Sequence, residues 1–177
     1  MAGDNLYFAY GSNMFEKRIQ DIRRAPSAVY LCNAQLSSHR LMFNARGVDG
    51  SGKCNVQKTG NMYDSVYGVL YQIDAYDWLT LDRSEGVDEG RYRRKSIEVM
   101  RLDNRSMAYV QTYIAAPNNI DDSLLPFDWY HALTLAGAKE HRLPKKYVWE
   151  LRLAPKVRDY DEERRSSYKV LIKGSAK

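Results

Sequence analysis

The sequence predicts an α+β domain built on a small closed β-barrel, mixed or antiparallel, of about six strands with flanking helices. Three observations lead there. Ala28–Leu36, Arg40–Asn44 and Val66–Ile73 have the period-two look of strands, and Leu6-Tyr7-Phe8-Ala9-Tyr10, Tyr92–Leu102 and Ser106–Ala115 read as strands beside them. These strands come in runs, with helical stretches inserted between and after them, rather than in a regular strand–helix alternation. At 177 residues the chain suits one core. Half a dozen short twisted strands in such a domain commonly close into a barrel, which removes exposed edges.

The first strand breaks at Gly11-Ser12-Asn13, and a short helix is expected next, with Ser12 or Asn13 as its N-cap and Met14, Arg18 and Ile19 along it. Pro26 ends that unit. Ala45–Thr59, with three glycines, reads as a loop holding at most one short strand around Cys54–Val56. Asp74 is placed to cap a helix over Ala75–Ser84, with Asp77 in a capping-box position and Gly86 just past the end. Asp103-Asn104-Arg105 joins two strands as a hairpin turn. Phe127–His141 is a helix, Pro144 opens another that runs to Leu153, and Pro155 closes it. The chain thus divides into a domain over residues 1–155 and a basic C-terminal tail or extension over 156–177, docked or frayed.

Composition excludes several classes of function. No apolar run is long enough to span a membrane, and no basic segment followed by an apolar one marks a secretory signal. Cys32 and Cys54 stand far apart with no CxxC spacing, and His39, His131 and His141 show no metal-ligand spacing. The expectation is a soluble, cytoplasmic protein with no metal, no cofactor and no membrane partner. The net charge of +5 invites a nucleic-acid reading. Yet residues 1–138 carry 15 basic and 16 acidic side chains, against 12 and 6 in residues 139–177. The excess is a C-terminal feature that need not belong to the main site. Fourteen tyrosines against four phenylalanines supply apolar bulk with hydrogen-bonding tips, suited to half-wet pockets as well as to sheets.

Two places carry chemistry. At Tyr10-Gly11-Ser12-Asn13, a glycine free to take positive φ admits close backbone approach, and the N–H groups opening the next helix favour an anion. The turn lacks the glycine spacing of a phosphate loop and the GxSxG elbow of a serine hydrolase. The second place is Glu85, at the end of the Ala75–Ser84 helix. A Glu there opposes the helix dipole, at a cost of up to about 1 kcal/mol, and Asp82 adds like charge one turn earlier. Both work against the charged form, and a carboxyl that can take and return a proton suits general acid–base catalysis. Asp88 and Glu89 read as a solvated turn, and Glu98 as an exposed cross-strand partner of a basic residue.

Three segments together carry a family resemblance. Leu6-Tyr7-Phe8-Ala9-Tyr10-Gly11-Ser12-Asn13-Met14, then Leu81-Asp82-Arg83-Ser84-Glu85-Gly86-Val87 with Tyr92 shortly after, then Gly137-Ala138-Lys139-Glu140-His141-Arg142-Leu143-Pro144 resemble the γ-glutamylcyclotransferase family in order and spacing, from about residue 5 to 155. The YGSN form is similar to the branch acting on γ-glutamyl amino acids. It is less similar to the glutathione-specific branch, with YGS and an apolar residue, or to the γ-glutamylamine branch, with YGT.

The resemblance implies a six-stranded mixed barrel and conversion of a γ-glutamyl amide to 5-oxoproline plus a free amine. It places the catalytic glutamate on Glu85. The substrate cradle falls on Tyr7, Phe8, Ala9, Tyr10, Gly11 and Ser12, completed by Asn13, with a ligand-contacting tyrosine on Tyr113. Tyr10 or Tyr113 is expected to add a hydroxyl donor. The implied partner is a small γ-glutamyl substrate, with no nucleic acid and with a homodimer as one oligomeric option. The rival readings are a non-catalytic metabolite binder of the same fold, a cyclotransferase for glutathione or a specialised γ-glutamylated amine, and a nucleic-acid binder using the basic tail.

Overall fold

The computed structural model describes residues 5–173. Seven strands form: β1 (Leu6–Ala9), β2 (Val29–Ser37), β3 (His39–Arg46), β4 (Gly52–Lys58), β5 (Ser65–Gln72), β6 (Tyr92–Arg101) and β7 (Met107–Ala115). Five of them close a barrel in the order β1-β5-β2-β6-β7. Neighbours are antiparallel except where β7 returns to β1 in parallel, with Tyr7 opposite Gln111. The barrel is therefore mixed, with five strands rather than six. Its interior is filled by Phe8, Val66, Leu70, Val99 and Val110, all fully buried.

The two remaining strands, β3 and β4, pair only with each other. The loop expected over Ala45–Thr59 is shorter than its glycine content suggests, because β4 occupies seven of its residues. Burial explains this: Cys54 and Val56 are buried, as is the side chain of Asn55, whose Oδ1 accepts from the Ala115 N–H at 3.0 Å. The hairpin is thereby fastened to β7.

Five helices follow the same order: α1 (Glu16–Ile19), α2 (Asp77–Glu85), α3 (Asp128–Glu140), α4 (Lys145–Leu153) and α5 (Glu162–Lys173). The expected caps are not used. Ser12–Met14 is a single 3-10 turn, Phe15 is extended, and α1 is one turn long; neither Ser12 nor Asn13 caps a helix. Helix α2 starts at Asp77, and the Asp77 carboxylate accepts from the Ser27 N–H at 2.9 Å, a tertiary partner in place of a capping box. Glu98 faces Tyr109 rather than a basic residue.

Residues 162–173 form a docked helix. The Asp161 side chain caps it through the Arg164 N–H at 2.9 Å, and Tyr168 stacks on Trp129 of α3 at 3.9 Å. Asp159 is buried and accepts from Trp129 Nε1 at 2.7 Å and from Arg164 Nε at 2.6 Å. Arg164 holds the Asp159 carboxyl down at about 2. Among the described residues no helix is long and apolar enough to cross a membrane.

Candidate active site

The mouth of the barrel gathers the two sequence features. Glu85 is the last residue of α2, and Gly86 ends the helix in the left-handed region at φ 69°. The Gly86 N–H bonds to the Arg83 carbonyl and the Val87 N–H to that of Asp82, at 3.1 and 3.0 Å, the paired closure of a Schellman motif. This turns Glu85 toward β1. Its Oε1 accepts from Asn13 Nδ2 at 2.9 Å and from Arg24 Nη1 at 3.1 Å. Arg24 Nη1 also donates to Asn13 Oδ1 at 3.0 Å, so the three side chains lock together. Asn13 does not cap a helix because its amide is spent here and on the Tyr7 hydroxyl, at 3.0 Å.

Arg24 changes the electrostatics expected for Glu85. Its guanidinium pairs with the carboxylate at 3.1 Å, both side chains 17% exposed, so a cation stands where the sequence offers only the helix end and Asp82. Asp82 is turned elsewhere: it accepts from the Tyr113 hydroxyl at 2.7 Å, and Arg94 lies at 3.4 Å.

Two cavities meet at Glu85. The inner one, about 30 Å³, is lined by Tyr7, Tyr10, Gly11, Ser12, Asn13, Cys54 and Glu85, with Tyr92, Tyr113 and Tyr130. It has room for about two waters. The outer one, about 410 Å³, shares Ser12, Glu85, Tyr92 and Tyr130 with it and opens outward.

Seven of the nine expected site residues line the inner cavity: Tyr7, Tyr10, Gly11, Ser12, Asn13, Glu85 and Tyr113. Phe8 and Ala9 do not. Phe8 fills the barrel, and what it presents elsewhere is backbone, its carbonyl accepting from the Thr112 hydroxyl at 2.8 Å. Strand alternation requires this, since Tyr7 and Phe8 point to opposite faces.

Gly11 has φ −114°, so positive φ is not its reason for being glycine. A Cβ there would stand 2.9 Å from Cys54 Cβ, inside contact distance. Close approach to β4, rather than backbone freedom, demands glycine. The turn's own hydrogen bonds run from the Met14 and Phe15 N–H groups to the Gly11 and Ser12 carbonyls, as at any helix start.

The tyrosine hydroxyls are not equivalent. Tyr10 donates to the Tyr113 carbonyl, and Tyr113 donates to Asp82. Tyr92 donates to the Cys54 carbonyl at 2.7 Å. Tyr7 accepts from Asn13, which leaves its own proton to offer. Among Tyr7, Tyr10 and Tyr113 the spare donor is therefore Tyr7. Burial pushes the hydroxyls of Tyr7, Tyr10, Tyr92, Tyr113 and Tyr130 upward, keeping them protonated. It pushes the Cys54 thiol up to about 11.

The third matched segment supports the turn from behind. His141 Nε2 lies 2.9 Å from the Met14 carbonyl, which also accepts from the Tyr71 hydroxyl at 2.7 Å. The Glu140 carboxylate accepts from the Glu16 N–H at 3.0 Å. Sequence reasoning missed Arg24, Cys54, Tyr92 and Tyr130 as site residues. Arg24 carries no local signal, since it lies in a short irregular stretch beside Arg23. The excess of tyrosine was the available signal for the others.

The class defined by this fold and site is a small mixed-barrel enzyme with a carboxylate at the barrel mouth. Comparison with known proteins agrees. The AIG2-like family model matches residues 65–151. A mouse γ-glutamylcyclotransferase is 32% identical over 83% of this chain and 77% of its own length, and the human one 31% identical over the same shares. A solved γ-glutamyl cyclotransferase superposes with a TM-score of 0.83 at 28% identity, covering 96% of this chain and 98% of that one. The chain belongs to the γ-glutamylcyclotransferase family.

Proposed function

We propose that the protein releases 5-oxoproline and a free amine from a γ-glutamyl amide, with Glu85 as general base and then general acid. The observation that carries the reading is the Glu85 carboxylate, held by Asn13 and Arg24 at the junction of the two cavities. The names of the relatives support the same reaction.

The substrate brings both reactants, its α-amine and its γ-carbonyl carbon. Their approach forms a C–N bond and closes a five-membered lactam, while the original amide C–N bond breaks. Holding the folded conformer recovers part of the roughly 7–11 kcal/mol available from intramolecular orientation. The α-ammonium must first lose a proton, which Glu85 takes. Protonated Glu85 returns it to the departing nitrogen, then takes the second proton that the attacking nitrogen sheds as it becomes the lactam N–H and passes that on too, so the amine leaves as an ammonium and the cycle balances without water. Proton transfer of this kind is typically worth about 10²–10⁴ in rate. N–H groups of the Gly11–Asn13 turn and the Tyr7 hydroxyl are the donors for the α-carboxylate or the developing oxyanion, one such donor being worth about 3–4 kcal/mol. The released amine leaves through the outer cavity.

The test is Glu85→Gln. The variant is expected to keep its fold by circular dichroism and to lose 5-oxoproline release from γ-glutamyl amino acids by at least about 10²-fold. Near-wild-type turnover would overturn the assignment.

A further inference from the structure

The outer cavity, which opens at Glu85 itself, is strongly basic. Arg18, Arg24, Arg46, Lys53, Arg91 and Arg164 line it, against Asp49 and Glu85. The leaving half of a γ-glutamyl amide extends into it in the reaction above, because this cavity of about 410 Å³ is the space that opens outward from Glu85. We propose that this vestibule reads carboxylates on the amine half of the substrate, so that γ-glutamyl conjugates of acidic amino acids or short acidic peptides are preferred to their neutral counterparts. The proposal rests on the reaction above and names its substrate class.

Most of these cations are already neutralised. Arg24 is committed to Glu85 at 3.1 Å, Lys53 to Asp49 at 2.8 Å, Arg46 to Asp121 at 2.7 Å and Arg164 to Asp159 at 2.6 Å. Two guanidiniums remain. Among the described residues Arg18 has no carboxylate within ion-pair distance, and its Nε is buried without a hydrogen-bond partner. Its guanidinium lies 5.5 Å from the Tyr168 ring centroid and also meets the Tyr168 hydroxyl, and the buried Nε is the donor left for an anion. Arg91 has only Glu89, at 3.6 Å and 60% exposed, a pair of little worth.

Arg91 is also tied to the site. It packs on Gly86, where an added Cβ would stand 1.9 Å from its Nε, one residue past Glu85. A planar fork of donors matches a carboxylate better than a point charge does. Burial and the nearby Arg24 both disfavour the charged form of Arg18, a cost that an arriving carboxylate relieves. Every α-amino acid leaving group presents one carboxylate; the second under-neutralised arginine provides for another.

The experiment compares γ-glutamyl-glutamate with γ-glutamyl-glutamine, which share shape and differ by one charge. The expected kcat/KM ratio for 5-oxoproline release is about tenfold in favour of the glutamate conjugate at low salt. It should fall toward unity as salt screens the contact, and in Arg18→Gln or Arg91→Gln. Equal kcat/KM for the two conjugates, or a preference that salt leaves untouched, overturns this proposal while leaving the reaction standing. Release of 5-oxoproline from neither conjugate overturns the reaction and this proposal with it.

Discussion

The two cavities that meet at Glu85 are built on opposite physical terms. The inner one is walled by tyrosines, glycine and a thiol, with each hydroxyl given a specific partner and burial keeping every one of them protonated. The outer one is walled by cations drawn from α1, the β3–β4 hairpin, the segment before β6, and α5. Inner groups are neutral and need exact placement, so packing controls them. Outer groups are charged, partly solvated and spread through the chain, so electrostatics controls them. Substitutions inside should therefore change chemistry, and substitutions outside should change recognition.

The largest expected effect lies at the junction. Glu85→Gln should lower kcat by at least about 10²-fold while binding of 5-oxoproline stays within a few-fold of wild type. A loss confined to KM would move Glu85 from the chemistry to the recognition side. Gly11→Val tests the inner wall. Its side chain meets Cys54 at once, so overpacking should cost about 1–3 kcal/mol in a urea titration and abolish detectable 5-oxoproline binding. Unchanged binding by calorimetry would show that the turn does not touch ligand.

How much of this was legible in sequence follows the same division. The inner pocket rests on short contiguous motifs: a strand running into Gly-Ser-Asn, and a Glu beside a helix-ending Gly. Such motifs are written locally, and seven of the nine expected residues do line one cavity. Of the two that do not line it, Phe8 points to the opposite face from Tyr7 because strand side chains alternate. At Gly11 the structural reason for glycine differs from the sequence reading, since contact with β4 cannot be foreseen when β4 itself reads as a glycine-rich loop. Arg24 was illegible because its role exists only once the turn after α1 is folded against α2. The C-terminal charge was misplaced too: it looked remote from the site, yet α5 carries Arg164 and Tyr168 to the vestibule wall.

That docking supplies a smaller, purely outer effect. Asp159 joins α5 to α3 through Trp129 and Arg164. Asp159→Asn removes a charge-assisted pair and should cost about 2 kcal/mol of local stability, loosening the wall. The expected signature is a raised KM with kcat retained, together with faster amide exchange in α5. In the wild type, the depressed Asp159 carboxyl contributes stability above its unfolded value near 3.8, lost as pH falls toward 2. Exchange in α5 should then quicken over that acid range before the barrel opens. A fall in kcat with KM unchanged would instead tie α5 to the chemistry.

The smallest effect separates the two regions by pH on the alkaline side. Cys54 has its thiol raised by burial from 9.0 to about 11, and the surrounding tyrosines are raised from 10.0 for the same reason. An acid whose folded value is raised holds its proton better in the folded state. Its contribution is fully present below the unfolded value and is lost as pH rises through the interval to the folded value. The urea midpoint should therefore stay flat up to about pH 8–9, decline between 9 and 11 as unfolded Cys54 ionises, and steepen above 10 as unfolded tyrosines follow. Cys32 is raised by burial as well, so Cys54→Ala should reduce the first part of that decline rather than remove it, and leave the second. A guanidinium is a far stronger base than a thiolate or a phenolate, so the glutamate-over-glutamine preference should persist until the barrel mouth itself gives way. A preference that vanished before the midpoint began to fall would mean that a group titrating inside the pocket, and not the arginine pair, sets recognition.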